Sequence, residues 1–196
     1  MADAGGRPKL LKRPERRRAL MDAAARAFAR GGYAATSLED VAAEAGVTRA
    51  LIYRHFDSKA QLYRAVLDDL GDTLQRVTGA PDRLEPASLD ALVRVAQTHA
   101  DQFRLFFRHA SREPAFREHA DWLRMAMTDA AQPYLREVLP DDQLRRWAAD
   151  LVPAVAIEAI LAWLDADTPR PDNAAATVGA MIAGVIEPIR RAGTDG

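Results

Sequence analysis

Cysteine is absent from all 196 positions, which excludes a disulfide framework and any thiolate metal site, and fits a reducing compartment such as the cytoplasm. Alternating β-branched runs are missing as well, so strands are not expected as a main element. No uninterrupted apolar run approaches the roughly 20 residues that cross a bilayer, and the basic N-terminus lacks the apolar stretch of a signal peptide. A membrane partner is therefore not expected. A large excess of one charge is also lacking: the net charge is −1, so overall basicity gives no argument for nucleic acid. His99, His109 and His119 are ten residues apart, whereas ligands on one helical face need a spacing of three or four. With no P-loop, metalloprotease or nucleophile motif either, neither a metal, a cofactor nor an enzymatic activity is expected.

What is present is the composition of a folded, water-soluble protein, 48% apolar and 28% charged. The charge is unevenly placed. Residues 1–78 carry 14 basic and 10 acidic side chains, a balance of +4, while 79–196 carry 13 and 18, a balance of −5. Seven cations fall between Arg7 and Arg18 against the single Glu15, an arm suited to phosphate.

Apolar positions recur at three and four residues almost throughout, which predicts an all-α fold. A first helix is expected from about Pro14 to Arg30, with Leu20, Ala24, Ala27 and Phe28 inward and Gly31-Gly32 ending it. Thr36 with Glu39, or Ser37 with Asp40, forms a capping box for a short second helix that Gly46 closes. Thr48 can cap a third helix. Ser58 with Gln61 can open a long fourth one bearing Leu62, Val66, Leu70 and Leu74. The stretch from Gly79 to Pro86 reads as a connection. It divides a basic module, 1–78, from a larger helical one, 79–196, with helices expected at 87–111, 115–139, 141–165 and 172–192. Pro133 and Pro153 are expected to kink or interrupt two of these.

Residues 38–56, LEDVAAEAGVTRALIYRHF, have the helix, glycine turn, helix layout of a helix-turn-helix. At 100° per residue, Ile52 and Phe56 face inward with Val41 and Ala45. Ala50 and Arg54 then turn outward, with Leu51, Tyr53 and His55 on the flanks. The run TSLEDVAAEAGVTRALIYRHFDSKAQL, Thr36 to Leu62, resembles the DNA-binding signature of the tetracycline-repressor-like (TetR) family over about the first 75 residues. The resemblance implies that Tyr53 and His55 contact phosphates, that Lys59 holds another, and that Thr36 and Thr48 add hydroxyl and backbone contacts. It assigns base reading to Arg49, Ala50 and Leu51. Ala50 stands where family members often have glycine.

The resemblance further implies a homodimer on a double-stranded DNA operator and a small-molecule effector sensed by the C-terminal helices. The leading reading is a ligand-responsive repressor released by an apolar or aromatic effector. A helical small-molecule binding or scaffold protein with a vestigial helix-turn-helix stays open beside it. Leu151, Val155 and Leu161, with Val178, Met181, Ile182, Val185 and Ile189, are candidates for the dimer face, aided by Gly179 and Gly184. Phe103, Phe106, Phe107, Trp122, Met125 and Trp163 are candidates for a pocket lining. Glu158 joins them because it interrupts the apolar run LVPAVAIEAILAWL and, if buried, needs a partner.

Overall fold

The computed structural model describes residues 12–78 and 86–192. Arg7 and Lys9 of the basic arm, and the connection at 79–85, lie outside the described residues. Among the described residues every regular element is helical: α1 Arg13–Ala35, α2 Leu38–Ala45, α3 Arg49–Tyr53, α4 Lys59–Thr78, α5 Pro86–Thr98, α6 Ala100–Arg104, α7 Arg117–Val138, α8 Asp142–Asp165 and α9 Ala174–Ala192. The chain divides into two compact units, 1–66 and 67–196, and the division falls inside α4.

In the first unit, α1 packs on α2 and α2 on α3. Leu20, Ala24, Ala27 and Phe28 are all buried, as their spacing predicts, and meet Val41 and Ala42 of α2 and Ile52 and Phe56 around α3 in one small core. Phe28 stacks edge-on against Tyr63, with ring centroids 5.0 Å apart. The glycine pair divides its labour. Gly32 takes the positive φ of 74° that breaks the helical geometry near the end of α1. Gly31 makes room, because a Cβ there would stand 2.9 Å from the Thr36 hydroxyl oxygen.

In the second unit, α8 packs against both α7 and α9, and α5 against α8 and α9. Ala131, Leu135, Leu139, Ala148, Ala149, Val152, Ile186 and Ile189 form a shared apolar core. By length and mean hydropathy of 1.6, α8 could cross a membrane. Nine of its residues are nevertheless buried, the pattern of a central helix whose neighbours take its apolar surface. Two expectations are corrected. Pro133 and Pro153 lie inside continuous helices rather than at interruptions. The single helix expected over 87–111 is instead broken at His99 (φ −125°, ψ 45°), and passes through a π-helical turn, Leu105–His109, and a 3₁₀ turn, Ala110–Arg112.

Candidate nucleic-acid interface and effector cavity

The second helix is capped at both ends before the turn into the third. Of the two capping boxes the sequence allows, Ser37 with Asp40 is the one that forms. The Ser37 hydroxyl accepts from the Asp40 N–H at 3.1 Å, and the Asp40 carboxylate accepts from the Ser37 N–H at 2.8 Å. That hydrogen bonding holds the Asp40 carboxyl below its ordinary range. Gly46 then takes the left-handed conformation, φ 62° and ψ 35°, and its N–H reaches back to the carbonyls of Ala42 and Ala43. The chain re-enters a helix two residues later, with Thr48 as an extended N-cap whose hydroxyl makes no capping bond.

This turn fixes which side of α3 is wet. Ile52 and Phe56 are almost wholly buried, while Thr48, Arg49 and Ala50 are exposed and Leu51 is half-buried. Tyr53 keeps 44% of its surface in water. Arg49 donates to the Tyr53 hydroxyl at 2.8 Å, forms an ion pair with Glu39, and sits 5.2 Å from the Tyr53 ring centroid. Glu39 is a partner the motif did not suggest; an acidic residue ten positions before an arginine across a tight turn is the signal that would have found it.

His55 is half-buried at the far end of α3. Burial first, then the charges of Arg13, Arg16 and Arg17, push its imidazole below the ordinary value. The beginning of α1 thus adds its cations to the same surface. Arg17 also lies 4.7 Å over the Phe56 ring.

Two of the expected DNA contacts are placed differently. Thr36 is 5% exposed and donates its hydroxyl inward to the Ala27 carbonyl at 3.4 Å, because it packs under the end of α1 instead of facing water. Lys59 donates to the carbonyls of Tyr33 at 2.8 Å and Thr36 at 3.0 Å, with its ammonium 4.3 Å from the Tyr33 ring centroid. Its first duty is therefore to close the C-terminal end of α1, and one N–H of the ammonium is left over.

The second unit contains a pocket of about 360 Å³, open to solvent, between α4, the π-helical turn and α7. Of the seven residues expected to line a pocket, Phe106 and Trp122 do so. Phe103 is buried in the core with its ring 4.6 Å from that of Phe107. Met125 is 58% exposed. Trp163 donates its indole N–H to the Pro169 carbonyl at 2.9 Å. Glu158 is exposed: it lies on the stripe Arg146, Asp150, Ala154, Glu158, Ala162, spaced by four along the outer face of α8, so within its own chain it needs no buried partner. The remaining walls come from Leu67, Gly71 and Gln75 and from the charged group Asp68, Asp72, Glu118 and His119. Asp68, Asp72 and Gln75 recur at helical spacing on α4, a signal present in the sequence.

The dimer candidates also separate. Leu161, Val178 and Ile189 fill the core of their own unit, and Gly179 faces Leu89 of α5 at 3.5 Å from its would-be Cβ. Met181 is half exposed, and nothing stands within 4 Å of a Cβ at Gly184.

Residues 20–66 match the family model described as bacterial regulatory proteins, tetR family. The transcriptional activator FasR of Mycolicibacterium smegmatis is 31% identical over 185 residues, which cover 88% of this chain and 84% of that protein. The chain belongs to the TetR family of bacterial regulatory proteins. The transcriptional regulator TtgR of Pseudomonas putida is 45% identical over 75 residues, 37% of this chain and 36% of TtgR, so this chain aligns with about a third of that relative's length. In fold, a TetR-like transcriptional regulator from Rhodococcus sp. RHA1 superposes with a TM-score of 0.73 at 19% identity, over 95% of this chain and 99% of that one. The TetR-family match thus runs strongest through the three helices whose outer side is described above.

Proposed function

We propose that this TetR-family chain is a transcriptional regulator that binds a double-stranded DNA operator as a homodimer, acts as a repressor, and is released by a small apolar or aromatic effector. One observation carries the reading: α3 buries Ile52, with Phe56 buried just beyond it, and leaves Arg49, Ala50 and Tyr53 in water, which is the division a groove-entering helix requires. In this reading Arg49 leaves Glu39 for the O6 and N7 of a guanine, Leu51 touches a thymine methyl, and the small Ala50 permits close approach. Tyr53, His55, the Thr48 hydroxyl and the spare N–H of Lys59 meet phosphates, with Arg13, Arg16 and Arg17 reinforcing them.

One head of this size makes too few contacts for selective binding, so a second copy is needed. The exposed small residues Ala154 and Ala162 on α8, with Ala180, Met181 and Gly184 on α9, supply a face on which two copies form a four-helix contact. FasR, which matches most of the chain, is named an activator, and in this reading the position of the operator relative to the promoter sets the sign of control.

The test is binding by fluorescence anisotropy to duplexes selected from random sequence, then to single-base variants of the winner. Arg49→Ala should cost about 1–3 kcal/mol at one base step and abolish the preference there, with the other positions unchanged. An intact base preference in that variant removes Arg49 as a reader. A wild-type chain that selects no sequence removes the regulator reading and leaves the scaffold with a vestigial helix-turn-helix.

A further inference from the structure

The cavity of the second unit is built for one kind of molecule more than another. At about 360 Å³ it falls within the roughly 300 to 1,000 Å³ of small-molecule sites. Behind it lie Leu67 and Phe106, each 1% exposed and so already packed against their own neighbours. The π-helical turn that carries Phe106 is a rare backbone form that recurs at functional sites. On its wall stands Trp122 with 49% of its surface in water, an indole unsatisfied by packing in its own chain.

The polar part of the lining is anionic. Asp68 and Asp72 are one turn apart on α4, Glu118 stands on α7, and no arginine or lysine is among the lining residues. His119 occupies Asp68 through its Nε2 at 3.0 Å. Asp72 and Glu118 have no ion-pair partner among the described residues. An anionic ligand would face these carboxylates across a short gap with no donor of charge to meet it. A neutral one would leave them as bystanders. A molecule that is both bulky and positive uses what is exposed: the indole face takes its hydrocarbon and attracts its charge through the ring quadrupole, and two unpaired carboxylates neutralise it.

We propose that this cavity binds an organic cation, a bulky apolar molecule carrying a fixed positive charge, seated between Trp122 and the carboxylates of Asp72 and Glu118. The inference rests on the effector-binding reading above and narrows it to a chemical class.

Tetraphenylphosphonium and tetraphenylborate test this directly, being nearly identical in size and shape and opposite in charge. Each is titrated calorimetrically into the full chain at neutral pH. The cation should bind about tenfold or more tightly than the anion. Asp72→Asn combined with Glu118→Gln, both at exposed positions, should lose about tenfold for the cation and nothing for the anion, with an unchanged circular dichroism spectrum. Trp122→Ala should weaken the cation as well. Equal binding of the two ions, no binding of the cation, or an unaltered cation affinity in the double carboxamide variant overturns the proposal. Binding of the selected duplex is measured on the same samples. A chain that grips DNA and ignores the cation refutes the chemical class alone, and one that takes the cation and no DNA refutes the regulator reading alone.

Discussion

The two units place their large side chains by opposite rules. In the first, one short helix separates its two sides sharply: Ile52 is fully buried while Tyr53, the next residue, is 44% exposed. In the second, aromatic residues from successive elements end up in different places. Phe103 and Phe106 are buried in the core, while Trp122 and Trp147 are about half in water. A reading head is a surface, set by which side of one helix is buried, so a few residues define it. A cavity is the space left between segments distant in sequence, here α4, the π-helical turn and α7.

The comparison breaks most visibly on aromatic truncation. Phe28→Ala in the first unit and Phe106→Ala in the second each remove a ring that is at most 1% exposed, and each should cost about 3–5 kcal/mol through lost transfer energy and the void left behind. Trp122→Ala removes a larger ring and should stay within about 0.5 kcal/mol, because its surface is already shared with water. Unfolding in urea, followed by circular dichroism, measures all three. A loss at Trp122 equal to that at Phe106 would make Trp122 a core residue and dissolve the contrast.

Next in size is Lys59→Met, which keeps most of the hydrocarbon stem and deletes the ammonium. Two charge-assisted bonds to carbonyls should go with it, at about 1.5–3 kcal/mol of stability in the first unit. The same variant should lower the salt dependence of DNA binding by about one unit of slope if the third N–H meets a phosphate. A variant with an unmoved unfolding midpoint and a reduced slope would turn the residue into a phosphate contact alone, and sharpen the reading head at the expense of its scaffold.

The sequence was most informative where structure follows from local rules. Leu20, Phe28, Val41, Ile52 and Phe56 went to the core because helical period alone places them together, and Gly46 ended α2 because a left-handed turn favours glycine. Thr36 and Ser37 fit a cap for α2 equally well by pattern, and only packing under α1 decides that the Thr36 hydroxyl faces inward. Lys59 looked like a free cation because its acceptors are backbone carbonyls 23 and 26 residues earlier, invisible in a side-chain pattern. Glu158 looked buried because the residues around it are apolar, although a helix packed on two sides still keeps one face in water. The break at His99 has no glycine or proline to announce it, so one long helix was the simpler expectation.

The smallest effect belongs to His55, and it has opposite signs in the free and the bound chain. Burial, followed by Arg13, Arg16 and Arg17, holds the folded imidazole below its ordinary value of 6.5. The unfolded chain therefore takes up the proton first. Its contribution to stability is complete above about pH 6.5 and declines as the pH falls through that value toward the lower folded one, where it levels off. A phosphate beside the ring reverses the balance: it favours the imidazolium and screens the three arginines, so binding DNA takes up a proton and operator affinity rises over the same interval. Between about pH 8 and pH 6 the two measurements should thus move apart, with urea midpoints falling and DNA affinity climbing. His55→Gln should flatten both curves. If affinity instead followed stability downward, the imidazole would be facing the protein interior in the complex, and the phosphate contact would have to be reassigned to Tyr53 and the arginines of α1.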